Sequence, residues 1–88
     1  MISTKYFVRI DYIEKNKKGV RPIDVENWFD ELIKQANLEN DIYDVEYWTW
    51  TPASGPYICF YCYDMQIAEK AEALLKMAVS KGGGKVYE

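Results

Sequence analysis

The sequence predicts an α+β domain with the element order β-α-β-β-α-β. Three observations predict it. Several segments alternate apolar and polar residues at a period of two. Two others place apolar residues three and four apart. Proline, asparagine, aspartate or glycine stands at the ends of the second kind.

Residues 4–13, TKYFVRIDYI, are rich in β-branched and aromatic residues and read as the first strand. Tyr6, Val8, Ile10 and Tyr12 form its apolar face, and Phe7, Arg9, Asp11 and Ile13 its mixed face. EKNKKGVR, residues 14–21, is a polar loop with a glycine. The first helix follows. Pro22 gives up no needed N–H in a first turn, and Asp24 can accept from free amides there. Val25, Trp28, Phe29, Leu32, Ile33 and Ala36 make one apolar stripe, which Asn37 or Asn40 can end.

IYDVEYWTWT, residues 42–51, alternates again and predicts a second strand. TPASGP is dense in turn formers, so this strand and a third over residues 57–63 should form a hairpin. Asp64 can cap a second helix whose core positions are Ala68, Ala71, Leu75, Ala78 and Val79. Lys81-Gly82-Gly83-Gly84 stops it, and residues 85–88 form a short last strand. This order is the ferredoxin-like one: a four-stranded antiparallel sheet with two helices on one face. At 88 residues the chain fits a single domain, 1–88.

Nearly half the residues are apolar and 28% are charged, a globular composition. There is no apolar run of the ~20 residues a membrane span needs, and the first residues lack a secretory pattern, so a cytoplasmic protein with reduced cysteines is expected. The net charge of −3 is unevenly spread. From Gln35 to Glu69 there is no Lys or Arg, while five of the eight Tyr and two of the three Trp fall there. Basic residues gather at Lys15, Lys17, Lys18 and Arg21, and again at Lys81 and Lys85, two loops expected to flank the hairpin tip.

The sheet face away from the helices has nothing in the chain to cover it. Period-two phasing puts Phe7, Asp44, Glu46, Trp48, Trp50, Tyr57, Tyr61 and Tyr63 there, with Cys59 among the tyrosines. An aromatic patch of that size marks an interaction site. A one-residue slip would instead turn these rings into core.

Catalytic chemistry finds little support. With no His, neither a Ser-His-Asp nor a Cys-His arrangement can form. Cys59 and Cys62 make a CxxC, but in a strand an offset of three separates the Cα atoms by ~10 Å and turns the thiols to opposite faces. A disulfide needs less than ~7 Å, and zinc would need ligands this chain lacks. The expected arrangement is one core and one surface thiol, with no metal and no cofactor. KGGGKV follows a helix instead of opening one and lacks P-loop spacing, so it reads as a helix stop.

Two resemblances bear on function. Asp11, near the end of the first strand, is similar in position to the aspartate of metal-dependent ferredoxin-fold nucleases, which would make it a metal ligand shared across a dimer. GPYICFYCYDMQIAEKA, residues 55–71, resembles the third strand and second helix of an RNA recognition motif. That resemblance implies stacking of bases on Tyr57 and Phe7, with Lys15, Lys17, Lys18, Arg21, Lys81 and Lys85 as the basic rim. The chain departs from the motif at Ser54, where a basic residue is usual, and at Cys59, which takes the second aromatic position.

The leading expectation is a non-enzymatic protein-binding module that uses its aromatic sheet face and acidic hairpin. Its partner would be another protein with a basic surface, or a second copy of itself. In size and charge the chain looks like phage inhibitors that occlude the nucleic-acid-binding surface of a bacterial enzyme or immune complex. Single-strand binding and an Asp11 nuclease are the alternatives.

Overall fold

The computed structural model describes residues 2–11, 19–48 and 57–86. Its elements run β1 (Thr4–Asp11), α1 (Pro22–Gln35), β2 (Ile42–Trp48), β3 (Tyr57–Cys62), α2 (Met65–Lys81) and β4 (Lys85–Val86). The four strands form one antiparallel sheet in the order β2-β3-β1-β4. This is the ferredoxin-like α+β arrangement, with the central pair β1 and β3 each made from a different half of the chain.

Both helices begin on an identifiable side chain and end on an identifiable backbone turn. At the start of α1 the Asp24 carboxylate accepts from the backbone N–H of Arg21 at 2.8 Å, which satisfies a donor the helix cannot. At its end Asn37 takes a φ of 58°, and the amides of Leu38 and Asn37 reach back to the carbonyls of Ile33 and Lys34, both at 3.0 Å. That pair of bonds is a Schellman stop. In α2 the Asp64 carboxylate caps by accepting from the Ile67 N–H at 2.9 Å. Gly83, with φ 84°, closes the helix in the same way, through the bonds Gly84 to Val79 and Gly83 to Ser80. Only glycine occupies that backbone region without a Cβ penalty.

The core lies between the helices and one sheet face. Val25, Phe29 and Ile33 of α1 are buried, as are Ala68, Ala71, Leu75, Ala78 and Val79 of α2. They meet Ile10, Ile42, Ile58, Phe60 and Cys62 from the sheet. Trp28 and Leu32 pack at the margin, while Ala36, expected in the stripe, has already left the helix as its C-cap. Phe60 sits near the centre, its ring 5.9 Å from Tyr6 and 5.8 Å from Phe29. Fully burying each such side chain contributes about 1.5–3 kcal/mol.

Register fixes which residues face away from the helices. Tyr6 pairs with Phe60 and Val8 with Ile58 on the core side, so Lys5–Tyr61, Phe7–Cys59 and Arg9–Tyr57 lie on the other. β3 ends at Cys62, which leaves Tyr63 just past the strand, 41% exposed.

β2 departs from simple alternation. Tyr43 pairs with Tyr61, Glu46 with Cys59 and Trp48 with Tyr57, with a register shift between Tyr43 and Glu46. Asp44 sits in that shift with φ 54°. One extra residue there is a β-bulge, and it reverses the phase of the strand's first half. Ile42 turns to the core and Tyr43 to the open face, so Asp44 leaves the face on which alternation places it.

Candidate functional site

The open sheet face carries two linked aromatic groups. In the first, Phe7 meets Trp48 edge-on at 6.0 Å and Tyr57 edge-on at 5.4 Å, while Trp48 and Tyr57 lie 6.0 Å apart. Phe7 remains 54% exposed. In the second, Tyr43 stacks on Tyr61 at 5.6 Å and leans on Tyr63 at 5.7 Å. Hydrogen bonding to Tyr43 raises the Tyr63 hydroxyl pKa above its ordinary value of 10.0. Such ring pairs contribute about 0.5–1.5 kcal/mol each beyond their buried area, so the patch holds its shape.

Lys5 joins the two groups. Its Nζ lies 4.8 Å from the Trp48 ring centroid, 5.4 Å from Tyr61 and 5.7 Å from Phe7. All three are within cation–π range. The same ammonium is 3.8 Å from Glu46 Oε2, and the Trp48 indole Nε1–H donates to that oxygen at 2.7 Å. Ring, carboxylate and ammonium therefore hold one another. Alternation alone did not single out Lys5 or Tyr43. A lysine in a strand reads as a solvated charge, and the bulge hid the phase of Tyr43.

Cys59 lies between Phe7 and Glu46 in the register and has no accessible surface, although it faces away from the helices. The expectation of a surface thiol is corrected accordingly: the groups from neighbouring strands cover it. Its Sγ is 3.7 Å from the Glu46 carbonyl oxygen, and Cys62 on the core side donates to the Asp64 carbonyl at 3.5 Å. Burial raises both thiol pKa values above the ordinary 9.0. Raised pKa values on opposite faces are the reverse of what a redox pair requires. Among the described residues, no group of three His, Cys, Asp or Glu side chains is placed to hold a metal.

The remaining sequence candidates separate. Asp44 lines a groove of about 410 Å³ between α1 and β2, together with Glu26, Asp30 and Glu39. The groove also includes Lys34, which is paired with Asp30 at 3.2 Å. Burial raises the Glu26 pKa; a hydrogen bond from the Tyr47 backbone opposes it, and the charges of Asp30 and Glu46 add lesser upward contributions. The acidity expected on the open face is therefore concentrated along its β2 edge, and Glu46 alone of the expected carboxylates stays among the rings. Arg21 is engaged with Asp24 at 3.2 Å, and the Lys81 ammonium sits 5.5 Å from the Trp28 ring in the helical layer. Lys85 stands opposite Asp11 in the backbone register of the β1–β4 ladder. Trp50, Lys15, Lys17 and Lys18 lie outside the described residues.

No family model, curated protein or solved structure matches this chain. No described helix is long and apolar enough to cross a membrane.

Proposed function

We propose that this domain is a protein-binding module that works through the open face of its sheet. The observation that carries the reading is the continuous aromatic surface of Phe7, Trp48, Tyr57, Tyr61 and Tyr43, built on the one sheet face the helices leave uncovered. Tyr and Trp are the residues that anchor protein interfaces. Lys5, the cation at the centre, is already engaged by Glu46, which favours a protein partner over a phosphate backbone. The carboxylates along the β2 edge complement a partner with a basic surface. A specific form of this reading is an inhibitor of the phage type that covers a basic nucleic-acid-binding surface of a bacterial enzyme or immune complex.

The test is capture from the native host by the wild type and by a Trp48→Ala, Tyr61→Ala double variant whose fold is verified by circular dichroism. The wild type should retain specific proteins that the double variant loses. The same set recovered by both removes the reading. Sedimentation across a concentration series covers the case of a self-partner: a dimer lost in the double variant makes the face a homodimer seam.

A second reading is single-stranded nucleic-acid binding. Phe7 and Tyr57 on adjacent strands favour it, since their rings lie where the resemblance to an RNA recognition motif puts base-stacking residues. Arg9 and Lys85 share that side of the sheet.

A further inference from the structure

We infer that Phe7, Trp48, Tyr61 and Glu46 form a cation-binding cage that the chain fills with its own Lys5, and that a lysine side chain of the partner protein takes Lys5's place on binding. The inference rests on the protein-binding reading and specifies its chemistry.

The cage has supports besides its occupant. Trp48 is held edge-on to Phe7 and by its N–H bond to Glu46, and Tyr61 is held by its stack on Tyr43. Cys59, buried between Phe7 and Glu46, keeps this part of the face free of a large side chain. Three ring faces and one carboxylate around an ammonium are the elements with which proteins recognise alkylammonium groups. They surround the Lys5 Nζ at 4.8–5.7 Å from the ring centroids.

Lys5 enters from β1, two residues before Phe7, on a flexible stem, and its side chain is 24% exposed. An outgoing path to solvent therefore exists. Charge favours a cationic replacement, because loss of Lys5 from the cage takes away the ammonium beside Glu46. The acidic β2 edge would draw a lysine-bearing surface toward the same side of the molecule. Lys5 then acts as a built-in competitor. A site open only a fraction f of the time has its apparent affinity reduced by that fraction.

The test uses Nα-acetyl-lysinamide as probe and Nα-acetyl-norleucinamide as its uncharged control, followed by NMR of the Trp48 indole N–H. If Lys5 fills the cage nine-tenths of the time, Lys5→Met should bind the lysine probe about tenfold more tightly than the wild type. The norleucine control should bind neither protein, and adding Trp48→Ala to Lys5→Met should abolish the gain. Equal affinity of wild type and Lys5→Met, equal binding of the control, or persistence of the gain without Trp48 overturns the inference. The wild type provides an arm that depends on no variant. Its Lys5 ε-methylene protons should resonate upfield of other lysines and move back as the probe is added. An ordinary shift from the start overturns the inference too. Because no partner is needed, a failed titration beside a successful capture experiment removes the cage and leaves the protein-binding face standing.

Discussion

Tyr43 stacks on Tyr61 across the β2–β3 pair, with ring centroids 5.6 Å apart and planes 14° from parallel. It does so one residue before a bulge, at Asp44, whose φ of 54° lies in the left-handed region. The bulge sends Ile42 to the core and Tyr43 to the open face. Without it the second aromatic group would lose its middle ring.

That conformation gives a backbone prediction. Left-handed φ costs an L-residue about 1–2 kcal/mol, somewhat less for Asp, whose short polar side chain tolerates it. Asp44→Gly should be at least as stable as the wild type. Asp44→Ala should be about 1 kcal/mol less stable than Asp44→Gly, by urea denaturation. An alanine variant matching the glycine one would mean that the bulge is not strained.

The bulge also marks where sequence reasoning stopped short. All five buried residues of α2 were legible, because Asp64 and Gly83 bound the helix and its apolar period is uninterrupted. β2 was misphased in its first half because alternation was carried back from Trp48 through Glu46 to Asp44. The available signal was the spacing of Ile42 and Val45: two aliphatic residues three apart cannot both face a core in a regular strand. Lys5 was not legible, since its role depends on Trp48, Glu46 and Tyr61, which come beside it only when three strands pair.

Phe60 tests the core. Its ring is 1% exposed and touches both Tyr6 and Phe29. Phe60→Ala should cost about 3–5 kcal/mol. In a domain this small, that is a large share of a total of roughly 5–10 kcal/mol. Loss of most of the cooperative thermal transition is the expected result, and a variant that melts within a few degrees of the wild type would contradict this packing.

Asp64 tests the local logic of α2. Its carboxylate satisfies the Ile67 N–H at 2.9 Å, and replacing a capping Asp by Ala costs about 1 kcal/mol. Asp64→Asn should retain most of the stability, because the amide oxygen can accept the same bond. Equal losses in both variants would point to charge instead of capping.

The buried thiols predict a pH dependence. Burial raises the Cys59 and Cys62 pKa values in the folded chain above the 9.0 of free thiols. Above pH 9 the unfolded chain therefore ionises first and binds fewer protons than the native one. The thiols' contribution is complete below that pH and is lost as pH rises through their folded values. Tyr63, also raised, from 10.0, acts in the same direction at higher pH. Stability from urea titrations should thus fall above pH 9, and a Cys59→Ala, Cys62→Ala double variant should fall less steeply. A parallel decline in the two proteins would assign the effect elsewhere.

Salt dependence separates the two functional readings. Lys5 is committed to Glu46, and Arg9 and Lys85 are the other described cations in open-face register. Two phosphate contacts give a slope of about −1.4 for log affinity against log salt on a single strand. A fluorescence titration with a short single-stranded RNA should therefore show either no binding, as the protein-binding reading expects, or weak binding with that shallow slope, abolished by Tyr57→Ala. A slope several times steeper would bring in Lys15, Lys17 and Lys18 and make nucleic acid the principal ligand. In that outcome the aromatic surface is a base-stacking platform, and the Trp48→Ala, Tyr61→Ala double variant should lose RNA instead of a protein.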